Sequence, residues 1–204
     1  MPASDCRTGS SKKWGGAPTT QVLRHRNTVF DLHTKERFHK VISKGLGVSL
    51  PSTAQENADP AAADEVYRAA TTWLIGQTRD VKKFPLVFKE NVAFGFHRNA
   101  LGVRPYGVLV STLCIAWILF HAKVLSVSGP FVAPDRMISL GPEESVATIV
   151  AAAILGVWLL FFNEAALQRA GFSYAERLLQ SCDNIKPVSP VRRSATKRVK
   201  GKKP

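Results

Sequence analysis

Two long apolar stretches in the second half of the chain set the limits on what it can fold into. The first, Tyr106 to Leu125, reads YGVLVSTLCIAWILFHAKVL; the second, Val146 to Phe162, reads VATIVAAAILGVWLLFF. The second carries no charge, and the first carries only His121 and Lys123 near its far end. A hydrocarbon layer about 30 Å thick is crossed by about 20 largely apolar residues in a helix. Both stretches approach that length, and neither has the polar face of a helix on a soluble core. The expected fold class is mainly α: an integral membrane helical hairpin of two transmembrane helices, residues 105–125 and 146–164, with a small cytoplasmic helical module.

The mean hydropathy of −0.03 hides this, because a polar first half and a basic tail offset the apolar spans. Roughly 100 residues before Pro105 are left for one small water-exposed domain. The opening MPASDCRTGSSKKWGG has no apolar run behind its charges, so it does not read as a cleaved secretory signal. Residues 1–18 are expected to be disordered, and the first span is expected to act as the insertion signal. Cys6, Cys114 and Cys182 have no ligand or disulfide-framework spacing.

The formal charge of +13 is unevenly spread. Between the spans, residues 126–145 hold one base, Arg136, against Asp135, Glu143 and Glu144. Lys82, Lys83, Lys89, Arg98 and Arg104 precede the first span, and Arg169 and Arg177 follow the second. Basic flanks stay on the cytoplasmic side of a membrane. The expected topology is two spans with both termini cytoplasmic, in a bacterial cytoplasmic membrane, with residues 126–145 as a short external loop. The tail, residues 184–204, holds Arg192, Arg193, Lys197, Arg198 and Lys200 and would meet anionic lipid headgroups. It lacks interleaved aromatics, which argues against nucleic acid as a partner.

Residues 19–104 form the expected cytoplasmic module. Residues 19–50 fit either a helix from Asn27, stopped at Gly45, or a hairpin turning at Thr34 to Glu36; the helix is slightly favoured. Residues 46–60 read as a linker. Asp59-Pro60 opens a clear helix whose apolar stripe is Val66, Ala69, Ala70, Trp73 and Leu74. After the second span, residues 165–183 continue as a cytoplasmic amphipathic helix with Ala166, Leu167, Ala170, Tyr174, Leu178 and Leu179 on one stripe.

Just before the first span, aromatics alternate with cations from Phe84 to Arg98. Rings at headgroup level beside phosphate-binding cations describe an interfacial segment. Phe94, Phe96, Arg98, Asn99, Gly102 and Pro105 are expected to form a membrane elbow, with Pro105 breaking the chain before the span. In the second span Ala152 and Gly156 form a small-xxx-small pair for helix packing, within the hairpin or between copies.

Chemistry-bearing clusters are few. Asp31, His33 and His39 could meet in a hairpin, but their spacing matches no metal motif, and Lys35, Arg37 and Lys40 would repel a cation. No nucleophile elbow, Walker loop or dinucleotide fingerprint is present. No catalytic residue, cofactor site or metal site is expected; a metal-dependent enzyme built on the N-terminal module is the distant alternative.

The layout from Phe94 to Cys182, two membrane helices followed by a cytoplasmic helix, resembles bacterial two-span effector domains of the SLATT type. That resemblance implies a membrane-perturbing effector of nucleotide-signalling defence, oligomerising on a signal; it does not extend to the N-terminal segment. Read from the residues, the expectation is a non-enzymatic membrane scaffold or adaptor, with a signal-gated oligomeric effector or pore subunit as the alternative. The expected partners are the lipid bilayer and a second copy or another protein.

Overall fold

The computed structural model describes residues 14–185 apart from Ser128 and Pro130. The expectations for the extreme N-terminus and for Arg192, Arg193, Lys197, Arg198 and Lys200 lie outside the described residues.

The structure is mainly helical, with no strand among the described residues. Helix α1 (Pro18–Leu23) is short, starts on a proline and buries Val22 and Leu23 completely. Helix α2 (Leu32–Leu46) decides the ambiguity of residues 19–50 in favour of helix. Its N-cap is Asp31, whose side chain accepts the Thr34 N–H at 2.9 Å. Asn27 instead accepts the Val29 N–H in a turn before the helix. The helix stops at Gly47, left-handed at φ 73°, rather than at Gly45.

The stretch that reads as a linker contains helix α3 (Thr53–Ala58), opened by a capping box between Ser52 and Gln55. Helix α4 (Pro60–Gln77) begins where Asp59-Pro60 predicts. Its buried face, Ala63, Tyr67, Ala70, Thr71 and Leu74, is rotated from the expected stripe, leaving Ala69 exposed and Trp73 half-buried.

Helix α5 (Pro85–His121) is a single continuous helix of 37 residues, about 55 Å long at 1.5 Å per residue. Pro85 occupies its first turn, and Pro105 lies inside it. The break expected before Pro105 is therefore absent, and the boundary between module and span at residue 104 falls mid-helix. A proline removes one backbone donor but does not end a helix held along its length by neighbours.

The connection holds helix α6 (Pro134–Ile138) and an isolated bridge between Leu125 and Val132. Helix α7 (Pro142–Gly156) starts four residues before the expected second span, with Glu143 and Glu144 at its positive end. It runs into a π-helical turn, Val157–Phe161, and ends at Phe162. The second apolar helix does not continue into the amphipathic helix expected to extend it. Asn163 is extended, and its side chain accepts the Ala166 N–H at 2.8 Å, starting helix α8 (Glu164–Gln180) afresh. A 3₁₀ turn, Ser181–Asn184, closes the described chain.

Helices α7 and α8 return along α5, α7 against its C-terminal part and α8 against its N-terminal part. Helix α1 lies on α8, and α2, α3 and α4 complete the module around it. Where α1, α5 and α8 meet, Gly171 allows a close approach: a Cβ there would sit tightly, 3.1 Å from Pro18 and 3.2 Å from Phe94. The core joins Phe38, Ile42, Tyr67 and Leu74 of the module to Ala175, Leu178 and Leu179 of α8. Helices α1 and α5 supply most of the cover for the α8 stripe, and α4 touches it less.

Candidate functional site

Two helical segments, Pro85–His121 and Pro142–Phe161, are long and apolar enough to cross a membrane. Only 6% and 0% of their most apolar windows are buried within the chain. That separates them from the core helices of a soluble protein, which are apolar because neighbours cover them. Here Tyr106, Leu113, Trp117, Ile149 and Leu160 stay 59–78% exposed.

The two helices touch along a narrow seam of small residues. A Cβ at Gly107 would lie 2.2 Å from the Trp158 indole, so the ring packs directly on the α5 backbone. One turn on, Ser111 is buried and returns its hydroxyl to the Gly107 carbonyl at 2.8 Å. Ala151 is the buried residue of α7. Ala152 is exposed, and a Cβ on Gly156 would meet nothing. The small pair picked out in the sequence is thus not the contact of the hairpin; Gly107 and Trp158 are.

An aromatic collar surrounds one end of the apolar pair. Phe96 meets Phe162 at 5.8 Å and His97 meets Phe161 at 5.9 Å, while Trp158 and Phe162 lie 5.0 Å apart. At the same level Arg104 donates to the Leu159 carbonyl in the π-helical turn at 3.3 Å, and Arg98 is exposed. From Arg104 to His121 the helix rises about 26 Å, close to the thickness of a hydrocarbon layer. Of the expected elbow residues, Phe96 joins the collar, Arg98, Asn99 and Gly102 are exposed, and Phe94 turns inward. Its ring stacks on Tyr174 of α8, 6.2 Å away and 4° from parallel. Burial pushes the Tyr174 phenol above its ordinary pKa.

At the other end an open cleft of about 1020 Å³ lies between the α5 tip and the connection, lined by Trp117, His121, Lys123, Asp135 and Arg136 among others.

A second cluster, not foreseen, lies inside the module. Asp31, His33 and His39 do not come together: Asp31 caps α2, His33 is exposed and His39 is buried. The Thr34 N–H holds the Asp31 carboxyl below its ordinary pKa. Buried Lys35 donates to the carbonyls of Arg24 at 2.9 Å and His25 at 3.3 Å, and to that of Asn27, gathering the chain after α1. Burial lowers its pKa, and Glu56 works against that. Glu56 accepts the His25 N–H and the Tyr67 hydroxyl, each at 2.8 Å. Burial opposes its ionisation, but those donors outweigh it and hold the carboxyl below its ordinary value. The Tyr67 phenol is raised, first by burial and then by Glu56. Arg24 and Asp64 form a two-pronged ion pair, with Nε donating at 2.8 Å. His39 bonds the Leu23 carbonyl at 2.9 Å and meets the His25 ring edge-on at 4.9 Å.

Apart from the Asp31 cap, these contacts tie α1 and the α1–α2 connection to α2, α3 and α4. Among the described residues, no three His, Cys, Asp or Glu side chains are grouped to hold a metal ion. The one signal in the sequence for this cluster is the Ser52–Gln55 capping box, which turns Glu56 from a linker residue into a helix residue.

No family model matches the chain, and no curated protein or solved structure matches it.

Proposed function

We propose that this protein is a two-span integral membrane protein and a non-enzymatic scaffold. In this reading α5 and the α7 segment cross the lipid, the collar marks the cytoplasmic interface, and the N-terminal module recruits another protein below it. The observation that carries the proposal is that almost none of the two most apolar segments is buried within the chain, which leaves lipid as the medium able to cover them. The collar supports it, since rings and arginines concentrate where hydrocarbon meets headgroups. The charge pattern gives the direction: Lys82, Lys83, Lys89, Arg98, Arg104, Arg169 and Arg177 sit at or beyond the collar, while Arg136 is the one arginine of the connection. Both termini are then cytoplasmic, and the basic tail meets anionic headgroups.

The test is extraction and labelling of the full chain in membranes. The protein is expected to resist alkaline carbonate, and reporters at Met1 and Pro204 are expected on the cytoplasmic face. Release by carbonate, or reporters on opposite faces, overturns the proposal. Affinity capture in mild detergent is expected to bring down a distinct protein at constant stoichiometry, with membrane potential unchanged on overexpression. Depolarisation would favour the gated effector reading instead.

A further inference from the structure

The far end of the apolar pair holds few cations, and those few gather in one place. From residue 121 to residue 145 the basic side chains are His121, Lys123 and Arg136. All three line the open cleft of about 1020 Å³, although Arg136 belongs to α6 and the other two stand at the end of α5. Asp135 is the acid that shares the lining; Glu143 and Glu144 start α7 instead. Two fixed cations against one carboxylate leave the cleft a single net positive charge. Among the described residues neither Lys123 nor Arg136 enters an ion pair.

Lys123 holds its place against the preference of the backbone. It follows α5 in the left-handed conformation, φ 57°, the one non-glycine with positive φ among the described residues. Its N–H returns to the Phe120 carbonyl at 3.0 Å, and the Val124 N–H to the Leu119 carbonyl at 2.9 Å. Those are the two bonds of a Schellman stop, where glycine is the usual residue. A side chain is unfavourable there, so the turn alone does not account for the lysine.

The other walls are braced and apolar. Leu125 pairs with Val132, and the Ala133 N–H reaches the Val124 carbonyl at 2.9 Å, which ties the start of α6 to the end of α5. Trp117, one turn before His121, and Phe120 stay 71% and 50% exposed. The membrane-spanning reading puts these rings at the edge of the hydrocarbon and the cations at headgroup level. Cations over an apolar wall that leads into hydrocarbon match a phospholipid, phosphate outermost and acyl chains inward. The single net charge suits a phosphodiester, which carries one negative charge, rather than a phosphomonoester with nearly two.

We propose that this cleft binds the phosphodiester headgroup of a lipid in the non-cytoplasmic leaflet. Lys123 and Arg136 meet the phosphate oxygens, His121 donates a ring N–H, and the acyl chains lie against Trp117 and Phe120. The site goes beyond the scaffold reading and rests on its membrane-spanning part, which sets the cleft at headgroup level.

The test is native mass spectrometry of the full chain in mild detergent, titrated with phosphatidylglycerol, uncharged diacylglycerol, or glycerophosphoglycerol, the same headgroup without chains. The tightest phosphatidylglycerol is expected to bind at least about five-fold more strongly than diacylglycerol. Lys123→Gly and Arg136→Gln are each expected to weaken it about five-fold, and both together about twenty-five-fold. Arg192→Gln with Arg193→Gln, in the basic tail, is expected to leave it unchanged. Glycine suits the left-handed turn, so the thermal midpoint of Lys123→Gly in lipid-free detergent is expected to hold.

A lower midpoint with unchanged lipid affinity makes the lysine structural and overturns the proposal. So does a loss confined to the tail variant, or diacylglycerol binding as well as phosphatidylglycerol. Displacement of the lipid by equimolar glycerophosphoglycerol assigns the cleft to a free phosphodiester and overturns the lipid. Carbonate extraction separates the two readings. A protein retained in membranes whose cleft variants bind as wild type loses the site and keeps the spans. A protein released into the supernatant loses the spans and, with them, the headgroup level.

Discussion

The indole of Trp73 lies against the bare backbone of Gly45, so close that a Cβ at that glycine would sit 2.0 Å from Cζ2. This contact joins α2 to α4 and explains why Gly45 does not stop its helix: it is a place of close approach, and the stop falls to Gly47. A methyl group at position 45 must push the ring or the helix away. Gly45→Ala is therefore expected to destabilise the module by about 1–3 kcal/mol, although alanine is the better helix former. Denaturant unfolding of the full chain in detergent, followed by Trp fluorescence, measures it; an unchanged or raised midpoint contradicts the packing.

The hairpin is expected to respond in the same way at Gly107 and not at Gly156. Gly107→Leu forces a side chain into the Trp158 ring, whereas Gly156→Leu adds one in open space. Accessibility of a cysteine placed at Ala151, which is buried against α5, should rise several-fold in the first variant and stay unchanged in the second. Equal effects would show that the small pair of the second span, and not the Gly107–Trp158 contact, holds the helices together.

Lys35 is 3% exposed and gives its ammonium to the carbonyls of Arg24, His25 and Asn27. Lys35→Met keeps the aliphatic stem and removes the donors. Each carbonyl left buried and unpaired costs about 1–3 kcal/mol, so the variant is expected to lose at least that much and to loosen the α1–α2 connection first. Amide hydrogen exchange at His25 to Thr28 should rise ahead of exchange in α4; uniform exchange would mean that the lysine does not hold this segment.

The two apolar helices were legible in the sequence because composition alone marks them, and α4 was legible because Asp59-Pro60 is a local signal. The continuity of α5 was not. Pro105 argues locally for a break, and what overrides it is the packing of α7 and α8 along α5 on either side of that position. The starting signal was nevertheless present, since Pro85 stands at a first-turn position where proline is favoured. The polar cluster was illegible for a different reason: Arg24 and Asp64 are 40 residues apart, and His25 and Glu56 are 31 apart. No local pattern encodes such pairings. The Gly107 contact was illegible too, because a small residue says only that close approach is allowed, not which helix takes it.

The stability of the module is expected to fall on acidification, and His39 is the reason it starts early. Its ring touches the Leu23 carbonyl and lies beside His25 at 4.9 Å and Tyr67 at 6.1 Å. Burial lowers its pKa; the Leu23 bond and Glu56 act upward, and His25 and Lys35 act downward again. The net direction is below the ordinary histidine value of about 6.5. In the unfolded chain the ring takes a proton near that value while the folded chain still refuses it, so unfolding gains protons and stability drops as pH falls. Glu56 adds a second loss at lower pH: its folded pKa is depressed, so its stabilisation is present above the ordinary carboxylate range and disappears as pH falls through the folded value. Thermal melts of the full chain in detergent are expected to show a lower midpoint at pH about 5.5 than at about 7.5, a window set by the ordinary histidine value. His39→Gln, which can still donate to the Leu23 carbonyl, should shrink that difference. A wild-type midpoint that does not move, or a variant with the same slope, would show that His39 does not govern this range.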